Sequence, residues 1–280
     1  LFFITHTPQT DIGSGLVGSV LCIIDSITSV RRRRLRNLPF PSGWLRTLET
    51  SPLLYKRLSE PDREELRGHI QVLVSEKNFE GRYGLVMNDD IRVAIAAEAC
   101  LLLLHRETDY FPGLSSIVVY PGEYLAPFRE MDDNGVVTEG TDRRSGESWE
   151  QGTLVLSWED VLTAGGDGEW AYNVVIHEFA HQLDAEDGVT NGVPLLPKRA
   201  SHRHWQRTLA EEYERLREDE AHGLTTVIDP YGAENPAEFF AVATESFFET
   251  PKALKSRHLA LYEELTRYYR QDPANWPGSQ

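Results

Sequence analysis

The chain has 280 residues, 40% of them hydrophobic and 26% charged, with a formal net charge of −16 and a pI near 5.0. That length buries a substantial core in one large domain or two small ones, and the balance of residues is that of a soluble globular protein. Nucleic-acid affinity rests mainly on Lys and Arg neutralising phosphates, so an acidic surface argues against DNA or RNA as a partner.

The segment 15–24 is apolar but short, is followed by Asp25, and precedes the basic cluster Arg31 to Arg34 with Arg36. A signal peptide carries its positive charge before the apolar stretch, and a membrane span needs about 20 apolar residues. Residues 1–30 are therefore expected to be a disordered or extraneous leader. A weak membrane anchor is the alternative, and no stable membrane insertion is expected. The two cysteines, Cys22 and Cys100, cannot make a disulfide framework. Cys100 lies in an apolar run that predicts a buried thiol, and a reducing cytoplasm is the simpler compartment.

From about residue 41 the composition becomes that of a folded domain. Segments 51–58 and 62–74 read as helices, the second with Leu66, Ile70, Leu73 and Val74 at helical spacing. Segment 88–105 is a stronger helix, with Asn88 or Asp89 to cap it and apolar residues on nearly every side, which places it in the middle of a fold. Segments 116–120 and 153–158 read as strands. Between them, 129–150 is polar with Asp-Asn-Gly and Arg-Ser-Gly turns, which suits a hairpin or a mobile surface loop. A Gly-rich stretch, 164–168, leads to a helix over 174–184. Helices are then expected at 201–220, 235–249 and 253–270, with loops over 185–200 and 223–231.

The helix at 174–184 holds His177-Glu178-Phe179-Ala180-His181. His177 and His181 are i and i+4, so both imidazoles project from one face and can share a zinc ion. Glu178 sits about 100° round from His177, beside the metal rather than on it, where a carboxylate can take a proton from an attacking water. Val175, Phe179 and Leu183 form an apolar stripe at i, i+4 and i+8, which packs this helix into a core and leaves its histidines at the edge of the stripe.

Catalytic zinc usually takes three protein ligands, and spacing offers several candidates for the third. A metzincin pattern would use Asp187, but Asp184 stands where that pattern needs Gly. His202 and His204 are nearby. Glu238 lies with Glu245 at i and i+7 on one face of a largely apolar helix, where a carboxylate needs a partner. Glu238 is also at the capping-box position after Asn235-Pro236-Ala237, and Glu245 could instead pair with an Arg or Lys. Spacing alone favours Glu238 only slightly.

The block His177 to Asp184, together with Tyr231-Gly232-Ala233-Glu234-Asn235-Pro236-Ala237-Glu238-Phe239-Phe240-Ala241-Val242, resembles the Mlc titration factor A family of bacterial zinc metallopeptidases. The resemblance runs over about 31–276 and implies a single metallopeptidase domain, with a helical N-terminal part at about 41–110 and a catalytic core at about 111–276. It also implies an α+β fold, mostly helical with a small mixed sheet, whose zincin-like core and gluzincin-like site are similar to the protease core of anthrax lethal factor. By the resemblance, His177, His181 and Glu238 bind one Zn2+ per chain, Glu178 is the general base, and Tyr231 points into the site, where a phenol can donate to an oxyanion. A metal-bound His normally donates its other ring nitrogen to a carboxylate or carbonyl, so Asp184 and Glu245 are candidates to support the ligands.

The histidine pair and its carboxylates lead to the expectation of a zinc-dependent peptidase acting on a peptide substrate, and the resemblance implies that its cleavage is aminopeptidase-like. A peptide could add to an edge strand at 116–120 or 153–158, and Glu123 or Glu130 could meet its amine. The other expectation is a binding protein that sequesters a transcriptional regulator, since the family name implies a Mlc-like transcriptional repressor as partner.

Overall fold

In a computed structural model the described residues are 26–50, 53–122, 124–131, 137–144, 146–149, 152–164, 172–196 and 199–279. They fall into two units, Leu1–Pro39 and Phe40–Gln280. The first contributes helix α1 (26–36), which carries the arginine run. No helix among the described residues is long and apolar enough to cross a membrane. The apolar stretch 15–24, Cys22 and the Gly-rich 165–168 lie outside the described residues.

The second unit opens with α2 (Ser42–Thr50), α3 (Leu53–Arg57) and α4 (Glu60–Glu76). Ser59 caps α4 by accepting the Asp62 N–H, and Pro61 sits in the first turn where its missing donor costs nothing. Strand β1 (Asn78–Gly81) leads to α5 (Asp89–Leu101), capped by Asn88. All of α5 from Val93 to Leu101 is buried, as an all-round apolar sequence demands. It ends earlier than the expected 105, because Leu102 and Leu103 close tighter i to i+3 bonds onto Ala99 and Cys100. Cys100 is buried and desolvation raises its thiol pKa well above the ordinary value.

The main sheet has the order β1, β2 (Ser116–Tyr120), β6 (Thr153–Ser157), β5 (Gly146–Trp149). The first three run parallel, with Ile117 opposite Phe79 and Leu154, and β5 pairs antiparallel with β6. Both central strands are buried on both faces, which explains their continuous apolar runs. The two strands expected to be edges are therefore interior, and the edges are β1 and β5. The polar segment between them forms a hairpin, β3 (Tyr124–Met131) with β4 (Val137–Arg144); Glu123 lies outside the described residues.

Helix α6 (Trp158–Thr163) starts directly off β6 under a Ser157 cap. Then come α7 (Val174–Asp184), α8 (Arg199–Ala221), a 3-10 turn at Pro230–Ala233, α9 (Pro236–Glu249), α10 (Pro251–Arg257) and α11 (Leu259–Tyr269). The expected single helix over 253–270 is broken at His258, whose ring is held by Glu212 at 2.7 Å. The result is an α+β unit, mostly helical around a small sheet. Helix α7 packs on α9, with α5 and the β5 edge also against it.

Candidate metal centre

Helix α7 is fixed by its N-cap, Asn173, whose Oδ1 accepts the Ile176 N–H at 3.0 Å. Val175, Phe179 and Leu183 are buried, and His177 and His181 lie on the opposite face of the helix, half-buried. Helix α9 is capped by Asn235, whose Oδ1 accepts the N–H groups of Ala237 and Glu238. The Glu238 carboxylate turns toward the histidines.

Glu238 Oε2 lies 3.0 Å from His177 Nε2 and 3.4 Å from His181 Nε2, and the two Nε2 atoms are 3.2 Å apart. One ligand atom from each of the three residues lies within 4.8 Å of the others, the one such group among the described residues. Glu238 Oε2 is buried and has no hydrogen bond despite those short distances, so the three donors converge on a common point more than they pair with one another. Two imidazoles and a carboxylate arranged in this way fit a divalent cation. Burial opposes charge on His177, but Glu238 and Glu245, with Glu178 beyond them, outweigh it and hold the imidazole well above its usual pKa. Burial likewise opposes ionisation of Glu238, and the two imidazoles beside it override that, holding the carboxyl far below the usual range.

Behind the cluster, Glu245 Oε1 meets His177 Nδ1 at 2.8 Å, while its Oε2 accepts the Asn173 N–H at 2.5 Å. Asp184 makes a different contact. Its Oδ2 accepts the Gly192 N–H at 2.7 Å, which ties down the loop after α7, while its Oδ1 is buried without a hydrogen bond. Gly192 has φ +77°, and a Cβ there would stand 2.4 Å from the Pro236 carbonyl, so only glycine lets this loop seat against the start of α9.

Glu178 is 6% exposed on α7 and acts electrostatically on His177. Tyr231 is 53% exposed, its ring centroid 6.1 Å from that of His177. Asp229 caps the Tyr231 turn, and Gly232 lets it approach α9 closely, since a Cβ there would stand 2.4 Å from Val242 Cγ2. The other ligand candidates are engaged elsewhere. Asp187 accepts the Val189 N–H, His202 Nε2 meets the Leu196 carbonyl, and His204 pairs with Glu264.

Sequence reasoning missed Asn173 and Glu98. The first was legible as an N-cap before an apolar helix; the second was a lone carboxylate in an all-apolar one, which needs a partner.

A histidine pair on one helix meeting a glutamate from the next long apolar helix, in an α+β fold, is the arrangement of metallopeptidases. The chain belongs to the family described as glucose-regulated metallo-peptidase M90, which matches residues 27–270. It is 40% identical over 244 residues to an uncharacterized protein of Synechocystis sp., covering 87% of this chain and 89% of that one. Mlc titration factor A of Yersinia pestis is 33% identical over 219 residues, or 77% of this chain and 80% of that protein.

Proposed function

We propose that the chain is a zinc-dependent peptidase with a zincin-like core, aminopeptidase-like, built as one catalytic domain over 31–276 and acting in the cytoplasm. The observation that carries this reading is the convergence of His177 Nε2, His181 Nε2 and the Glu238 carboxylate within 4.8 Å, in a chain of a metallo-peptidase family. These three residues would hold one Zn2+, which supplies Lewis acidity toward a peptide carbonyl and an attacking water. Glu178 takes the water's proton and passes it to the leaving amine. Tyr231 donates its phenol O–H to the developing oxyanion. Glu245 accepts from His177 Nδ1, which keeps the Nε2 lone pair facing the site. The peptide lies along β5, the sheet edge that packs against α7, adding a strand.

The test is Glu178→Gln, which should keep its zinc while hydrolysis of a peptide library falls by about 10² to 10⁴. Wild-type rates in that variant would remove Glu178 as the base. Glu238→Ala should lose zinc; unchanged stoichiometry would redirect the third ligand to Asp187.

A second reading rests on the name of the relatives at 33% identity, Mlc titration factor A. On it, this chain binds a Mlc-like transcriptional repressor, linking it to the regulation of sugar uptake, without cleaving its partner. Capture of such a repressor by the Glu178→Gln protein supports it, and failure of capture leaves hydrolysis as the role.

A further inference from the structure

Every polar atom of Asn173 is engaged, and the residue is fully buried. Its carbonyl accepts the His177 N–H at 2.9 Å, and its own N–H donates to Glu245, the carboxylate that holds His177 Nδ1. Its Oδ1 caps α7, which turns Nδ2 the other way, toward Glu249 Oε1 at 2.9 Å and Glu98 Oε2 at 3.2 Å. Two amide hydrogens thus meet two carboxylates. Those two glutamates come from α9 and α5, each 6% exposed, and no peptidase step uses either. Buried carboxylates without a matching cation are costly, and the nearby Arg57 guanidinium, which also donates to the Glu249 carbonyl, is a single charge against these two.

We propose that Asn173, clamped by Glu98 and Glu249, is a positioning residue that sets Glu245 against His177 and so fixes the orientation and tautomer of that ligand. The inference rests on the metal-site reading above. It extends that reading from the ligands to a three-helix clamp that joins α5, α7 and α9 at one carboxamide. Supporting it, burial and the neighbouring Glu249 push Glu98 up to about 8, so at neutral pH its carboxyl keeps its proton and the clamp avoids setting two charges side by side.

Asn173→Ser keeps a helix cap but loses the Nδ2 group that reaches Glu98 and Glu249. Zinc affinity, measured by chelator competition on the full chain, should fall about 10- to 100-fold, the range for residues that support metal ligands. The Co2+-loaded variant should show a shifted absorption spectrum. Because Asn173 acts through Glu245, the same substitution made on Glu245→Gln should cost nothing further. Glu249→Gln, which keeps side-chain shape, should show a smaller loss with the same dependence on Glu245, and carries the test should the serine variant fail to fold. Unchanged affinity in a folded variant, or losses that add independently to that of Glu245→Gln, would overturn the proposal. Wild-type protein that binds no zinc would instead overturn the metal-site reading itself.

Discussion

Phe111 and Phe179 meet edge to face, ring centroids 4.7 Å apart with planes at 67°, on the side of α7 turned away from its histidines. Phe179 lies about 200° round the helix from His177, so this contact backs the face that carries the site. Phe111 reaches it through a forced turn: Tyr110 and Phe111 both have φ +55°, a conformation that side chains disfavour. The turn is held by Lys77, which donates to the carbonyls of Phe111 and Leu114, and by the Tyr110 hydroxyl against His69 Nδ1. Phe111→Ala should therefore cost about 3–5 kcal/mol in urea unfolding, the usual loss for a buried ring. A loss below about 1 kcal/mol would mean that α7 does not lean on this contact.

Tyr231 is better placed for substrate than for the core, being 53% exposed yet 6.1 Å from the His177 ring. Tyr231→Phe removes only the O–H. If the phenol serves the oxyanion, kcat should fall about 10²- to 10³-fold with KM and zinc content preserved. An unchanged kcat would assign Tyr231 to substrate contact alone.

The helices of the site were legible because their signals are local. A cap, a 3.6-residue apolar period and the i, i+4 histidine spacing suffice to place His177, Glu178 and His181 on one helix. Glu238 was ambiguous because the capping-box reading and the ligand reading use the same spacing, and only tertiary contact sends its carboxylate to the histidines. Strand β1 was invisible, being four residues with Phe79 alone buried. The break at His258 was also hidden, because the apolar pattern runs on through it and the interruption comes with a contact to Glu212 on α8. Asp184 illustrates the same limit: its partner, Gly192, belongs to a loop whose path no local pattern gives.

Away from the site, Glu65 joins two histidines, contacting His69 Nε2 at 3.3 Å and His105 Nδ1 at 3.1 Å. The His69 hydrogen bond is the largest influence and, with His105, outweighs burial to bring the Glu65 carboxyl down to about 2. A carboxyl whose pKa is depressed on folding adds stability above its unfolded value, and that contribution is lost as pH falls from about 4.5 to about 2. Glu65→Gln should flatten the acid limb of a stability curve over that window. Parallel curves for wild type and variant would show that the histidines do not stabilise this charge.

Glu98 has the opposite sign. Burial first, and the adjacent Glu249 second, raise it from 4.5 to about 8, so the folded protein binds this proton more tightly than the unfolded chain. Its contribution is full below about 4.5, declines as pH rises through about 8, and changes no further above that. The slope is bounded at about 1.4 kcal/mol per pH unit within the window. Glu98→Gln mimics the protonated acid and keeps an acceptor for Asn173, so it should abolish the decline and be more stable than wild type above about pH 8. Thermal unfolding from about pH 5 to pH 9 reads the difference, and parallel lines would mean that Glu98 is ionised throughout. Near pH 7 the variant should bind zinc as wild type does, because the carboxyl it replaces is already neutral there. That result would separate the charge of the clamp from its geometry.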